Sequence, residues 1–289
     1  MLDFLYYPVS AVLWFWHQVF GLVLGPDDGV AWALAVIFLV LTLRTLMIRP
    51  ALSRLRSAHR MRALAPRLTE LRARHRDDPQ KLVAETRALQ AEHGVSAFGG
   101  MASALLQAPV FLALLHVLRY FNRPGLTFEQ NAAIPNYVFG PDEVRSFLEA
   151  RLFGAPLSAY VTMPQSLLDS FGGASVTSWQ VLAVALPLAV LAAVATHVTA
   201  RRSLRTQPDA PRIMRALPWV FPLGALASVP FLLVAVLVYW LANNGWTLVE
   251  QHVLGCIVER EVVVVPDAVA PRPPARAPKP GQKPVRRRS

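Results

Sequence analysis

Residues 30–48 read VAWALAVIFLVLTLRTLMI. As a helix rising ~1.5 Å per residue, this run crosses the ~30 Å hydrocarbon core of a bilayer. Its one charge, Arg44, lies near its end. Three more apolar runs follow: 101–118 (MASALLQAPVFLALLHVL), 178–200 (SWQVLAVALPLAVLAAVATHVTA) and 216–242 (ALPWVFPLGALASVPFLLVAVLVYWLA). The last is too long for one comfortable span and carries Pro218, Pro222 and Pro230. Of the 289 residues, 54% are hydrophobic and 16% charged, and the mean hydropathy is +0.38. A soluble globule carries about 25% charged residues. The chain therefore reads as an all-α polytopic membrane protein, because apolar runs of this length can satisfy their backbone in lipid only as helices.

Residues 1–24 are apolar but interrupted by Asp3, Pro8, His17 and Gln18. Tyr6, Tyr7, Trp14, Phe15, Trp16 and Phe20 suit the membrane interface. The segment is expected to lie in or near that interface as an amphipathic helix rather than to span. No Lys or Arg precedes Arg44, so the basic start of a secretory signal is missing.

Charge assigns the sides. Segment 49–97 carries 11 Lys/Arg against 5 Asp/Glu, 201–215 carries 5 against 1, and 248–289 carries 8 against 4, whereas 119–177 carries 4 against 5. The positive-inside rule puts the first three in the cytoplasm and 119–177 outside, with the N-terminus. Two cytoplasmic segments must be joined by an even number of crossings, so the proline-rich run becomes a hairpin turning near Ser228–Pro230. The expectation is five spans, near 30–48, 101–118, 178–200, 213–229 and 230–249, within a core of residues 25–252, with the C-terminus cytoplasmic.

Within 49–97, Met61, Leu64, Leu68 and Leu71 recur at helical spacing, as do Leu82, Thr86, Leu89 and His93. Asp78 suits an N-cap, Pro79 a first helical position and Gly94 a stop. Residues 51–93 are expected to form a mobile two-helix hairpin. The tail 253–289 is basic and Pro-rich, with residues 271–289 free of acidic side chains, and is expected to be largely disordered.

Polar groups inside spans are the functional candidates. Arg44, with no acidic residue inside any expected span, either snorkels about 6 Å to the cytoplasmic surface or lines a wet cavity. Gln107, two residues before Pro109, either bonds a neighbouring helix or serves the backbone that Pro109 frees, or takes part in a site. His197 sits near the cytoplasmic end of its span. Tyr239 and Trp240 fit an aromatic belt, and Asn243 and Asn244 a helix end, if they have no further role. Among these groups no nucleophile–base pair arises, Ser228 lies in GALAS rather than an intramembrane-protease motif, and HExxH spacing is absent. Cys256 is alone, which excludes an internal disulfide and a cysteine-rich metal site. No enzyme, metal or cofactor is expected.

Several strings together resemble the YidC/Oxa/Alb family of membrane protein insertases, in its five-span Gram-positive form. FLYYPVSAVLWFWHQVFG is similar to the family's aromatic segment before the first core span, and VLTLRTLMIRPAL to the span that ends in an intramembrane arginine followed by proline. MRALAPRLTELRARHRDDPQKLVAETRALQAEHGVSAFGG resembles the cytoplasmic hairpin, and LLQAPVFLALLHVL the next span. SVPFLLVAVLVYWLANNGWTLVEQ resembles the final hairpin. The resemblance covers roughly residues 3–252 and implies five helices around a positively charged hydrophilic groove that opens to cytoplasm and lipid. It implies groove roles for Arg44 and Gln107, and contact with substrate for Trp240, with Tyr239, His197 and Asn243 as neighbours. The implied partners are nascent membrane proteins, met alone or with the Sec translocon, while the charge of the basic tail suits the ribosome and, equally, anionic lipid of the bilayer. This chain departs from the family pattern at Val40, where relatives often have a hydroxyl, and the third span lacks the family's polar glutamine, with His197 the nearest polar candidate. Loop 121–176 matches no pattern. The alternative function is a solute transporter or channel subunit, for which paired ionisable groups or repeated halves are the expected marks.

Overall fold

The computed structural model describes residues 3–94, 99–123, 125–171, 175–205 and 212–263. The chain begins with α1 (Asp3–Leu24), which packs along α2 (Gly29–Leu46). α1 turns Val9, Ser10, Leu13 and His17 inward and leaves Phe4, Phe15, Leu22 and Val23 exposed. α2 starts cleanly because the Asp28 carboxylate accepts from the amides of Val30 (2.6 Å) and Ala31 (3.3 Å). Ala31, Trp32, Ala35, Val36, Leu39 and Val40 are all buried, so α2 sits inside the bundle, enclosed on most sides.

Beyond Met47 come α3 (Ile48–Ala63), α4 (Ala65–Arg74) and α5 (Pro79–Glu92). Asp78 accepts from the Lys81 amide at 3.0 Å, and Gly94 takes a φ of +62° after the last turn of α5. α4 and α5 bury no residue, which fits a hairpin with little to dock it. The first arm begins at Ile48, three residues earlier than the sequence pattern suggests, and breaks at Leu64.

α6 (Gly99–Arg119) leads into the segment between 120 and 177, which is not an unstructured loop. It folds into α7 (Phe128–Ala132), α8 (Pro141–Glu149), the antiparallel pair β1 (Arg151–Leu152) and β2 (Ala155–Pro156), and α9 (Gln165–Leu168). This cap is built on α2. Trp32 is fully buried against Phe147 (5.0 Å between ring centroids), Phe139 (5.6 Å) and Phe121 (5.8 Å). Its indole N–H donates to the Ser146 hydroxyl (3.0 Å), which in turn donates to the Pro26 carbonyl (2.7 Å). On the cap surface, Arg145 donates to Glu129 at 2.6 Å, ties α8 to α7, and holds the Glu129 carboxyl below its ordinary range.

α10 (Ser178–Arg205), α11 (Leu217–Ser228) and α12 (Val234–Val263) complete the bundle. Ala185 and Ala189 of α10 pack with Leu237 of α12, and further along Thr196 meets Asn244, so these two helices run parallel. Pro218 lies beside His197 while Val229 lies beside Ala185 and Ala189, so α11 runs antiparallel to both. The chain reverses through the turn at Val229–Phe231. The first amides of α12 have no partner within their own helix. The cap supplies it: Val234 donates to the Ala159 carbonyl and Ala235 to the Leu157 carbonyl, both at 3.0 Å.

Among the described residues, three helices are long and apolar enough to cross a membrane: Asp3–Leu24, Gly29–Leu46 and Ser178–Leu204. Pro109–Arg119 and Leu217–Phe231 are shorter apolar stretches. α12 runs to Val263, and this corrects the boundary expected for the tail. Residues 253–263 are helical, with Leu254 and Val258 buried, and residues 264–289 lie outside the described residues.

Gly29 marks the closest approach of cap to helix. A Cβ there would lie inside contact distance of the Arg151 carbonyl group, which is backbone and cannot rotate away. Gly29→Ala is expected to destabilise the fold by about 1–3 kcal/mol, read as a lower thermal midpoint of tryptophan fluorescence in detergent. An unchanged midpoint would show that the cap does not press on α2.

Candidate functional site

Arg44 occupies the last turn of α2, where the helix has already run through its buried apolar stretch. Its side chain is 14% exposed. A guanidinium so placed must be solvated by fixed polar groups or by water, because an unpaired buried charge is among the costliest features a fold can carry. α12 supplies the groups. Asn243 Oδ1 accepts from Arg44 Nη2 at 2.7 Å and from Nε at 3.2 Å. Thr247 Oγ1 accepts from Nη2 at 3.2 Å while donating to the Asn243 carbonyl at 2.9 Å. Glu250 Oε2 stands 3.5 Å from Nη1 and also accepts from the Trp246 indole at 2.8 Å.

Asn243, Thr247 and Glu250 are spaced i, i+4 and i+7, which puts them on one stripe of a helix. A second stripe faces α10. There the Thr196 hydroxyl lies 2.9 Å from Asn244 Oδ1 and 2.8 Å from the Ala192 carbonyl, and Asn244 Nδ2 donates to the Trp240 carbonyl at 2.8 Å. On the same two helices the hydroxyl of Thr199 and Oε1 of Gln251 are buried with no hydrogen-bond partner among the described residues. An apolar bundle thus holds a polar seam where α12 passes α2 and α10.

The expected site residues separate into groups. Arg44 and Asn243 are in direct contact. Asn243 and Asn244 lie in the middle of α12 and do not end a helix. Tyr239 is buried and stacks on Phe111 of α6 at 5.5 Å, while Trp240 is partly exposed between the two halves of the core. His197 turns away from Arg44: its Nδ1 is 2.7 Å from the Pro218 carbonyl and its ring lies 4.4 Å from that of Trp219, so it braces α10 on α11. The backbone of Gln107 belongs to α6, and its side chain lies outside the described residues.

One expectation is corrected. Arg44 does have an acidic neighbour. Glu250 lies one residue beyond the expected end of the last span at 249, on a helix that continues for thirteen more residues to Val263. The Asn243–Thr247–Glu250 spacing was the sequence signal that could have revealed it. Thr42, two residues beyond Val40, accepts from the Trp16 indole at 2.9 Å and donates to the Phe38 carbonyl at 2.8 Å, so it ties α1 to α2. Among the described residues, no three His, Cys, Asp or Glu side chains converge as metal ligands.

Because Asn243 accepts twice from a charged donor, Asn243→Ala is expected to cost about 1.5 kcal/mol, and Asn243→Asp, which keeps an acceptor oxygen, to cost less. Thermal unfolding in detergent reads both, and equal midpoints for Asn243→Ala and the native chain would remove Asn243 as the anchor of Arg44.

Residues 23–260 match the profile of a family described as 60Kd inner membrane protein. The chain is similar to the membrane protein insertase YidC of Mycobacterium tuberculosis H37Rv, 40% identical over 99% of this chain and 81% of the relative. The YidC of Mycolicibacterium paratuberculosis is 41% identical over 99% and 84%, and that of Corynebacterium efficiens 34% identical over 90% and 69%.

Proposed function

Because the chain belongs to the 60Kd inner membrane protein family, we propose that it is a membrane protein insertase, which moves hydrophobic segments of nascent membrane proteins from the cytoplasm into the lipid bilayer. It is a multi-pass bacterial membrane protein and acts without covalent chemistry. Its spans are α2, α6, α10, α11 and α12, with α1 at the outer interface, the cap outside, and the α3–α5 hairpin and C-terminal tail in the cytoplasm. The charge asymmetry of the segments supports this arrangement.

The observation that carries the reading is Arg44 inside the bundle, held by a polar seam and still part-exposed. Carrying a polar segment through hydrocarbon leaves its backbone groups unsatisfied at several kcal/mol each. A polar half-channel between α2, α10 and α12 shortens that path from the cytoplasmic side. α11 is only twelve residues long, about 18 Å of helix, so the bilayer beside it is drawn thin and the remaining path is shorter again. Arg44 attracts an acidic residue in the polar segment, and the substrate's apolar helix then leaves sideways into lipid past Trp240. Asn243 lines the same route, a role the resemblance also implies for Gln107, and His197 supports it from the α10–α11 contact. The basic tail suits the ribosome or anionic lipid by charge, and the Sec translocon is a further partner in this reading. The contrast with a transporter no longer rests on a lone buried charge, since Glu250 stands beside Arg44. It rests on the family.

In proteoliposomes, Arg44→Ala is expected to slow insertion of a segment with one acidic residue in its translocated part roughly tenfold, and of its neutral counterpart by less than about twofold. Equal slowing of both would remove the electrostatic role of Arg44.

A further inference from the structure

The strands β1 and β2 are joined by a two-residue loop. Arg151 pairs with Pro156 and Leu152 with Ala155, so the turn is Phe153-Gly154 alone. Both residues take a positive φ, +51° and +88°. Such turns favour Asn-Gly, because few side chains enter the left-handed region without a clash. A phenylalanine at the first position is an outlier, and Phe153 is 85% exposed. The base of the hairpin is fixed by contrast. Leu152, Ala155 and Leu157 are buried, the Arg151 carbonyl lies against Gly29, and the Leu157 and Ala159 carbonyls hold the start of α12. A rigid base thus presents one aromatic ring clear of the protein, at a conformational cost. Strain of this kind collects where a side chain has to meet a ligand.

What covers the ring follows from where the hairpin sits. On α1, Phe4, Tyr7, Ala11, Phe15, Val19 and Leu22 recur every three or four residues and are all exposed, while the polar Ser10 and His17 are buried. A helix with its apolar stripe outward and its polar groups inward suits lipid, not water. The stripe ends at Leu22 and Val23, just before the turn that leads to Gly29. Gly29 opens α2, and the backbone of β1 touches it two residues before Phe153. Trp179, in the first turn of α10, is exposed as well. Where α2 and α10 enter the bilayer, Phe153 and Trp179 stand at the boundary between headgroups and hydrocarbon, the level that aromatic anchors occupy.

We infer that the Phe153-Gly154 turn is a lipid-binding site, at which Phe153 inserts among the phospholipids of the leaflet on the cap side and ties the cap to the bilayer. The inference rests on the multi-pass arrangement proposed above. The ligand is recognised by its glycerol and upper acyl region, because the inserted group is an uncharged ring. The turn holds that ring ready, so little conformational freedom is lost on insertion. Because the same cap grips the starts of α2 and α12, an anchored tip gives both helices a fixed depth in the membrane.

The test replaces Phe153 in the full chain with photoreactive benzoylphenylalanine, which keeps the aromatic ring, in vesicles of phosphatidylglycerol and phosphatidylethanolamine. Two reference chains carry the same group at Val190, exposed on α10, or at Asp77, exposed between α4 and α5. After irradiation, mass spectrometry reads the phospholipid adduct at each position. The yield at 153 is expected to approach that at 190 and to exceed that at 77 roughly tenfold, since the first two meet the bilayer and the third meets water. A yield at 153 no greater than at 77, with adducts present at 190, overturns the inference while the multi-pass arrangement stands. Absence of adducts at 190 overturns the arrangement, and this inference with it. Irradiated in cells, a crosslink from position 153 to another protein in place of lipid also overturns the inference and makes the turn a protein contact.

Discussion

An arginine in the last turn of an apolar, enclosed helix has to be solvated, and the rest of the bundle is arranged around that demand. Hydrocarbon cannot solvate it, and a charge stripped of partners in a low-dielectric interior costs more than the helix gains by packing. α12 meets the need with Asn243, Thr247 and Glu250 on one stripe, and thereby brings a polar seam into a region otherwise lined by Val, Leu and Ala. The seam then extends to α10 through Thr196 and Asn244. A polar passage within a membrane bundle is what a segment with backbone groups to satisfy requires, and the proposed insertion route follows this seam.

The seam depends on the longitudinal position of α12, and the cap sets it. Two amides at the start of α12 donate to the Leu157 and Ala159 carbonyls. The Thr162 amide and hydroxyl both donate to the Pro230 carbonyl just before that helix, at 3.1 and 2.8 Å. The same cap is keyed to α2 through Trp32, Ser146 and the close approach at Gly29. Both helices that meet at Arg44 are thus referenced to the same cap. Asn243 lies nine residues from the anchored start of α12, or about 14 Å along a helix, so a slip of one turn at the cap would carry it past the guanidinium. At the opposite end, α3 packs against α6 and α12, whereas α4 and α5 bury no residue.

Local signals in the sequence marked much of this. The run 30–48 announces α2 because apolar length is a sufficient signal for a helix in lipid, and Asp78-Pro79 announces the start of α5 because a cap acts over three residues. The cap was opaque for the opposite reason. Its core joins residues more than a hundred positions apart, such as Trp32 and Ser146, and its elements are too short to show a period. Glu250 was hidden by a boundary: counting apolar residues ended the last span at 249, whereas α12 continues through polar residues, because its two polar stripes face α2 and α10 rather than lipid. His197 drew attention as a polar residue in a span, but a histidine can also serve as a bracket between helices, and here it binds the Pro218 carbonyl.

The account stands on the polar seam beside Arg44 being wet and reached from the cytoplasm. Thr247 is part-exposed and sits next to the guanidinium, and its replacement leaves Asn243 and Glu250 beside Arg44. Cys256 is the chain's single cysteine and is exposed, so it is first replaced by serine. A membrane-impermeant thiol reagent is then applied to Thr247→Cys in vesicles of each orientation. The account expects rapid modification when the cytoplasmic face is outward and little when the outer face is. Modification from the outer face alone, or from neither, would contradict it.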